Sequence, residues 1–246
     1  MKVATAQNDF SSEGFGESRH FAFEMNATAF SAVIDGIYSD KVLAPVREYT
    51  TNAFDAHIAA GKADEPFIIA APSHLNPHFM VRDFGTGMTH DQVMNLTTSL
   101  FSSSKRDTNE QVGMLGLGSK SAFSYTKQYT LTRFDGTEHQ EYVCFIDGAG
   151  LPTVSALPPS PSTEPRGVKI TFPVQQQDIP AFKTAIEKVM LGFDTLLTIL
   201  NETWAPQPLT IIMEGPNYKV FQHPSLSGPK VRQGNVLYSL ELLKVI

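Results

Sequence analysis

The sequence predicts an α+β fold, and three observations carry that reading. Short apolar runs at 67–71, 79–82, 128–134, 140–146 and 167–174 have strand length, and Asp135-Gly136 and Asp147-Gly148 between them are hairpin signals, so the sheet they form is mostly antiparallel. Two stretches, 41–60 and 178–200, instead space their apolar residues at helical intervals and need a partner surface on which to bury them. A composition 41% hydrophobic over 246 residues is that of a packed globule, enough for one large domain or one domain and part of another.

In chain order, a Ser/Gly/Glu-rich start leads into residues 20–38, which read as a strand and a short helix. Ser39 and Asp40 are both suited to cap the next helix, over 41–60. Val42, Leu43, Val46, Ala53 and Ala56 give that helix its apolar side, and Gly61 offers a left-handed stop. Phe67–Ala71 and Phe79–Arg82 are strands separated by a connection rich in turn residues between Pro72 and Pro77. From Thr89 to Val112 the chain is polar and dense in serine, with a short helix over Asp91–Leu100, which suits a movable lid over 89–118. A helix starts after the glycines, at 118–126, and the hairpin strands follow. Leu157–Thr163 reads as a solvent loop. In the helix over 178–200, Phe182, Ile186, Val189, Met190, Phe193 and Leu197 point inward as core. Beyond Trp204, prolines at 206, 208, 216, 224 and 229 break up strand-like pieces.

The net charge of −6 supplies no broad positive field to attract a phosphate backbone, so general nucleic-acid binding is not expected. Cys144 is the only cysteine, lies in an apolar strand, and reads as packing. No stretch approaches the ~20 apolar residues of a membrane span. His57, His74, His78, His90 and His139 lack the spacing of a zinc site.

Chemistry concentrates in three blocks. On a helix, Glu48, Asn52 and Asp55 fall at i, i+4 and i+7, so an acid, an amide and a second acid share one edge. Asp83 follows a strand end, with Gly85, Gly87 and Met88 behind it. Gly113, Gly116 and Gly118 then precede Ser119, Lys120 and Ser121, where backbone N–H groups at a helix start can cradle an anion. This third block is not a P-loop, because Ser119 separates Gly118 from Lys120 and no buried strand precedes it. A dinucleotide fingerprint fails for the same lack of a strand. Together the blocks point to ATP.

In this order, over roughly residues 20–175, the blocks resemble the Bergerat-type (GHKL) nucleotide fold of gyrase-like topoisomerases, heat-shock ATPase chaperones, MutL and sensor histidine kinases. Val46–His57, Arg82–Gly85, Phe101–Lys105 and Gly116–Tyr125 are closer still to phage rapid-lysis rIIA proteins. The resemblance implies a two-layer sandwich, with helices covering one face of a mixed, mostly antiparallel sheet. It implies an ATP-binding domain over 1–205 and, from 206 to 246, the start of a transducer-like domain that the chain truncates.

The same resemblance assigns roles. Glu48 is the carboxylate that activates or orients water, a function typically worth about 10²–10⁴ in rate. Asn52 offers its amide oxygen to Mg²⁺, which prefers oxygen ligands and keeps waters and phosphates besides. Asp55 matches an acidic position near the nucleotide and has helix packing as its equal alternative. Asp83 accepts from the adenine amino group, its rival role being to cap a turn. Gly85 and Gly87 keep the base pocket open beside Met88. Gly113, Gly116, Leu117, Gly118, Ser119 and Lys120 close on the triphosphate, joined by Ser104 and Lys105 of the lid, although a solvated loop lysine is the plainer reading of Lys105. Relatives carry Gly-Thr at the strand matching Gly167-Val168, and Val168 lacks that hydroxyl.

The expected function is therefore Mg²⁺-dependent ATP binding and hydrolysis, driving lid closure and homodimerisation. The alternative is a nucleotide-gated interaction module with negligible turnover. A kinase acting on histidine lacks its phospho-acceptor helix here. The rIIA-like phrases imply the cytoplasm of an infected bacterium, a phage or host protein partner, and peripheral association with the inner membrane.

Overall fold

The computed structural model describes residues 26–98, 118–193, 198–202, 209–215, 218–224, 226–233 and 235–239. Ser104, Lys105, Gly113, Gly116 and Leu117, most of the expected lid, and the strand expected near residue 20 lie outside the described residues.

The described fold is mixed α+β with a mostly antiparallel sheet. Helix α1 (Ala27–Ile37) starts at Asn26, whose side chain accepts from the Ala29 N–H at 2.9 Å. The turn that leads into helix α2 (Leu43–Ala59) is held by Asp40, whose Oδ1 accepts from the N–H groups of Val42 and Leu43 at 3.1 and 2.9 Å. The helix ends at Gly61, in the left-handed region at φ 72°, as the sequence predicts. Strands β1 (Ile68–Ala70) and β2 (His78–Arg82) follow, then α3 (His90–Thr98) and a short 3-10 helix, Gly118–Ser124, where the sequence predicts the start of a longer helix. Strands β3 (Gln128–Phe134), β4 (Glu138–Ile146), β5 (Pro152–Ala156), β6 (Ser160–Pro161) and β7 (Gly167–Pro173) precede α4 (Ile179–Met190) and β8 (Thr198–Leu200).

The strands run in the order β5-β4-β3-β7-β2-β1-β8, with β6 paired to β4. Every pairing is antiparallel except that of β8 with β1. Two expectations need correction here. The helix predicted over 178–200 stops at Met190, because Gly192 is a poor helix former and the Thr198–Leu200 run fills the open edge of β1 instead. The loop over 157–163 also contributes Ser160 and Pro161 to a short pairing with β4, too brief and too polar to register as a strand in sequence.

Val46, Tyr49 and Ala53 of α2 and Phe182, Ile186 and Val189 of α4 join Phe79, Val81, Leu131 and Phe172 of the sheet in one buried cluster. Cys144 belongs to it, and burial pushes its thiol up to about 11. Strands β9 (Thr210–Gly215), β10 (Tyr218–Gln222), β11 (Lys230–Gln233) and β12 (Val236–Ser239) make a separate antiparallel sheet in the order β12-β11-β10-β9. Among the described residues no helix is long and apolar enough to cross a membrane.

Candidate functional site

Helix α2 organises the site, and its first half carries the acid and the amide. Glu48 and Asn52 stand one turn apart on a surface strip beside the buried Val46/Tyr49/Ala53 face. The 3-10 helix lies against that strip. A Cβ placed on Gly118 would stand 2.7 Å from Glu48 Oε2 and 3.7 Å from Asn52 Nδ2, so only a glycine lets the backbone come this close without moving the carboxylate. The first and third sequence blocks therefore meet in space at Gly118.

Two tyrosines hold this contact. Tyr49 Oη donates to the Ser119 carbonyl at 3.0 Å and accepts from the Ala122 N–H at 3.3 Å, while Tyr129 Oη reaches the same carbonyl at 2.8 Å. Burial keeps both phenols protonated well above their ordinary range. Sequence reasoning missed both, since an aromatic at a core spacing gives no sign that its hydroxyl anchors a turn. Tyr38, buried at the end of α1, is a third. Burial, then the Glu48 charge, raises its phenol, so it lies within the field of the acid.

Lys120 takes a different course from the one the sequence suggests. It is 1% exposed, and its ammonium donates to the Leu96 carbonyl in α3. Burial pushes it down to about 8. Lys120 thus ties the 3-10 helix to the start of the expected lid. Ser119 Oγ is buried with no hydrogen-bond partner among the described residues.

The second half of α2 packs on the block that begins at Asp83. The Asp83 carboxylate is 6% exposed, and each oxygen accepts a backbone N–H: Oδ1 from Gly85 at 3.0 Å and Oδ2 from Val168 at 3.2 Å. Burial raises its pKa, while those two N–H groups and then the charge of Arg82 pull it back. A turn-capping role is thus present in the structure. It leaves about half of the ~4 lone-pair sites of the carboxylate open. The Val168 side chain packs on the core, while its N–H serves Asp83.

Gly85 has a local reason of its own: a Cβ there would meet the Ala56 carbonyl oxygen at 2.4 Å, so it is the seat of α2 on this loop. Gly87 has φ 64° and turns the chain under Met88, which packs against the core. His57 locks the same junction, its Nε2 accepting from the Phe84 N–H at 2.8 Å and its Nδ1 facing the Glu65 carbonyl at 3.2 Å, which fixes the proton on Nδ1. Asp55 is buried on the same helix at 6% exposure, in keeping with its packing alternative.

A cavity of about 460 Å³ opens beside Gly87 and Met88, with Arg133, Arg166 and His90 among its walls. It includes neither Asp83 nor the Glu48/Asn52 strip. The strip and the Asp83 turn are the better guide to chemistry, because each is built from carboxylates and glycines in mutual contact. Among the described residues no cluster of three or more His, Cys, Asp or Glu could hold a metal ion by itself. A divalent cation fits the donor set at Asn52 only with ligand oxygens completing its shell, the usual situation of Mg²⁺ on phosphates.

The Asp83 turn meets α2 at Ala56 and His57, and the acid and amide stand at 48 and 52. Eight residues of helix separate the two ends, about 12 Å. That span is of the order of the reach from a purine base to the last phosphate of a nucleoside triphosphate. A scan against protein-family models finds no match to the sequence, and a search of characterised proteins finds no relative.

Proposed function

We propose that this chain is a Bergerat-type ATPase with a two-layer fold, binding ATP along α2 with the base at Asp83 and the phosphates at Gly118. The observation that carries the reading is the close approach of the Gly118 backbone to Glu48 and Asn52, because it brings an acid, a side-chain amide and a glycine turn to one point. The three sequence blocks and the two-ended arrangement along the helix support it.

In this reading Asn52 would hold Mg²⁺ through its amide oxygen, and the ion would supply charge neutralisation for the phosphates. Glu48 orients a water and takes its proton as the water oxygen bonds to the terminal phosphorus and the bond from that phosphorus to the bridging oxygen breaks, ADP leaving with the electron pair. The Ser119 hydroxyl, buried and without a partner among the described residues, is available to the phosphates. Tyr49 and Tyr129 keep the turn fixed, so the site is organised before the substrate arrives. The lid, a homodimer, and an rIIA-like role in an infected bacterium, with a phage or host protein partner, belong to this proposal through the sequence resemblance.

Glu48→Ala is expected to retain ATP·Mg²⁺ binding within about threefold in calorimetry while turnover falls at least about 100-fold. Unchanged turnover would remove Glu48 from the mechanism. Turnover per chain measured against protein concentration tests the dimer. A steep rise is expected, and a rate independent of concentration would argue for a monomeric enzyme.

A further inference from the structure

The residue before Asp83 is held on several sides. Arg82 closes β2 with its side chain only 5% exposed. Its guanidinium carbon sits 4.7 Å from the Phe84 ring centre and 4.0 Å from that of Phe134, filed between two aromatic faces. One end of the fork, Nη1, donates to the Asp83 carbonyl, and the other, Nη2, to the Pro165 carbonyl. Glu164 Oε2 stands 4.0 Å from Nη2 at the rim.

Those two carbonyls belong to the two segments that orient the Asp83 carboxylate. One segment carries the Gly85 N–H to Oδ1, and the other carries the Val168 N–H to Oδ2. The segments touch closely where they meet. Gly167 has φ 147°, and a Cβ on it would lie 2.1 Å from the Asp83 carbonyl oxygen and 2.4 Å from Arg82 Nη1. A planar fork stacked on two rings can span both carbonyls, whereas a lysine ammonium has neither the plane nor the second arm.

We propose that Arg82 is a positioning residue for base recognition: by clipping the Asp83 turn to the Pro165–Val168 segment, it aims the free lone pairs of the Asp83 carboxylate at the exocyclic amino group of adenine. The inference rests on the nucleotide reading given above. It adds that discrimination for the 6-amino group depends on Arg82, which itself touches no part of the ligand.

The test is calorimetric titration of the full chain with ATP and with purine riboside triphosphate, the analogue lacking the 6-amino group, each with Mg²⁺. The native protein is expected to prefer ATP by at least about tenfold, the value of one hydrogen bond to a charged group. Arg82→Met and Arg82→Lys are expected to bring that ratio below about threefold while changing affinity for the analogue by less than about threefold. Equal weakening of both nucleotides, or an unchanged ratio in a folded Arg82→Lys, would overturn the proposal. If melting curves show that neither Arg82 variant folds, Phe134→Leu decides the matter. It removes one stacking ring, and the same loss of preference is expected, an unchanged ratio again counting against the clip. A native protein that binds neither nucleotide would instead refute the nucleotide site itself. Equal binding of both would refute Asp83 as the base contact, and this inference with it, while leaving the Glu48/Asn52 end standing.

Discussion

Gly85 and Gly118 look alike in the sequence, since each lies in a glycine-rich block beside a candidate site residue. The structure separates them by what a methyl group would strike. At Gly118 the nearest atom is Glu48 Oε2, the far end of a flexible side chain, whereas at Gly85 it is the Ala56 backbone. Gly118→Ala is therefore expected to leave the melting temperature nearly unchanged while displacing the carboxylate, so that ATP turnover falls. Gly85→Ala is expected to lift α2 from its loop and cost about 1–3 kcal/mol, read as a lower urea midpoint. If Gly118→Ala also unfolded the protein, the turn would be structural rather than fitted to the acid.

At the scale of elements, α2 is the spine, and both ends of the site depend on what is packed against it. The 3-10 helix is only seven residues long, and two tyrosine hydroxyls on one carbonyl fasten it to α2 and β3. Removing one of them, in Tyr49→Phe, orphans the Ala122 N–H and should cost about 0.5–1.5 kcal/mol in chemical denaturation. It should also loosen the Gly118 contact, so the loss of turnover is expected to exceed what the stability change explains. Equal, small losses in both would reduce Tyr49 to ordinary packing. Lys120 links the same turn to α3, which gives the expected lid an anchor at its start.

Over the whole molecule, the buried titratable groups set how stability responds to alkali. Burial holds the phenols of Tyr38, Tyr49 and Tyr129 protonated in the folded state, so their contribution is present below the ordinary phenol range and is lost as pH rises above about 10. The Cys144 thiol, raised from 9.0 to about 11, acts in the same sense from pH 9. Lys120 acts oppositely. Its folded value of about 8 lies below the ordinary 10.5, so a penalty present in full below pH 8 fades as pH rises toward 10.5. Urea midpoints measured from pH 7 to 11 are expected to rise between 8 and 9 and to fall steeply beyond 10. In Lys120→Met the rise should be gone, and its persistence would mean that Lys120 is not its source.

The sequence by itself determined that this chain is α+β, where α2 starts and stops, and that an acid and an amide share one of its edges. These are local properties: the Asp40 turn, the left-handed Gly61, hairpin signals, and 3.6-residue spacing act within a few residues of themselves. Only the tertiary structure decided that Gly118 rests on Glu48 and Asn52, that Val168 serves Asp83 through its N–H, that Lys120 turns to Leu96, and that Arg82 clips two segments together. It also shortened the second long helix, since the open edge of β1 competes for Thr198–Leu200. Each of these is a contact between residues far apart in the chain, whose energy comes from distance and burial, and no periodicity or short motif encodes either.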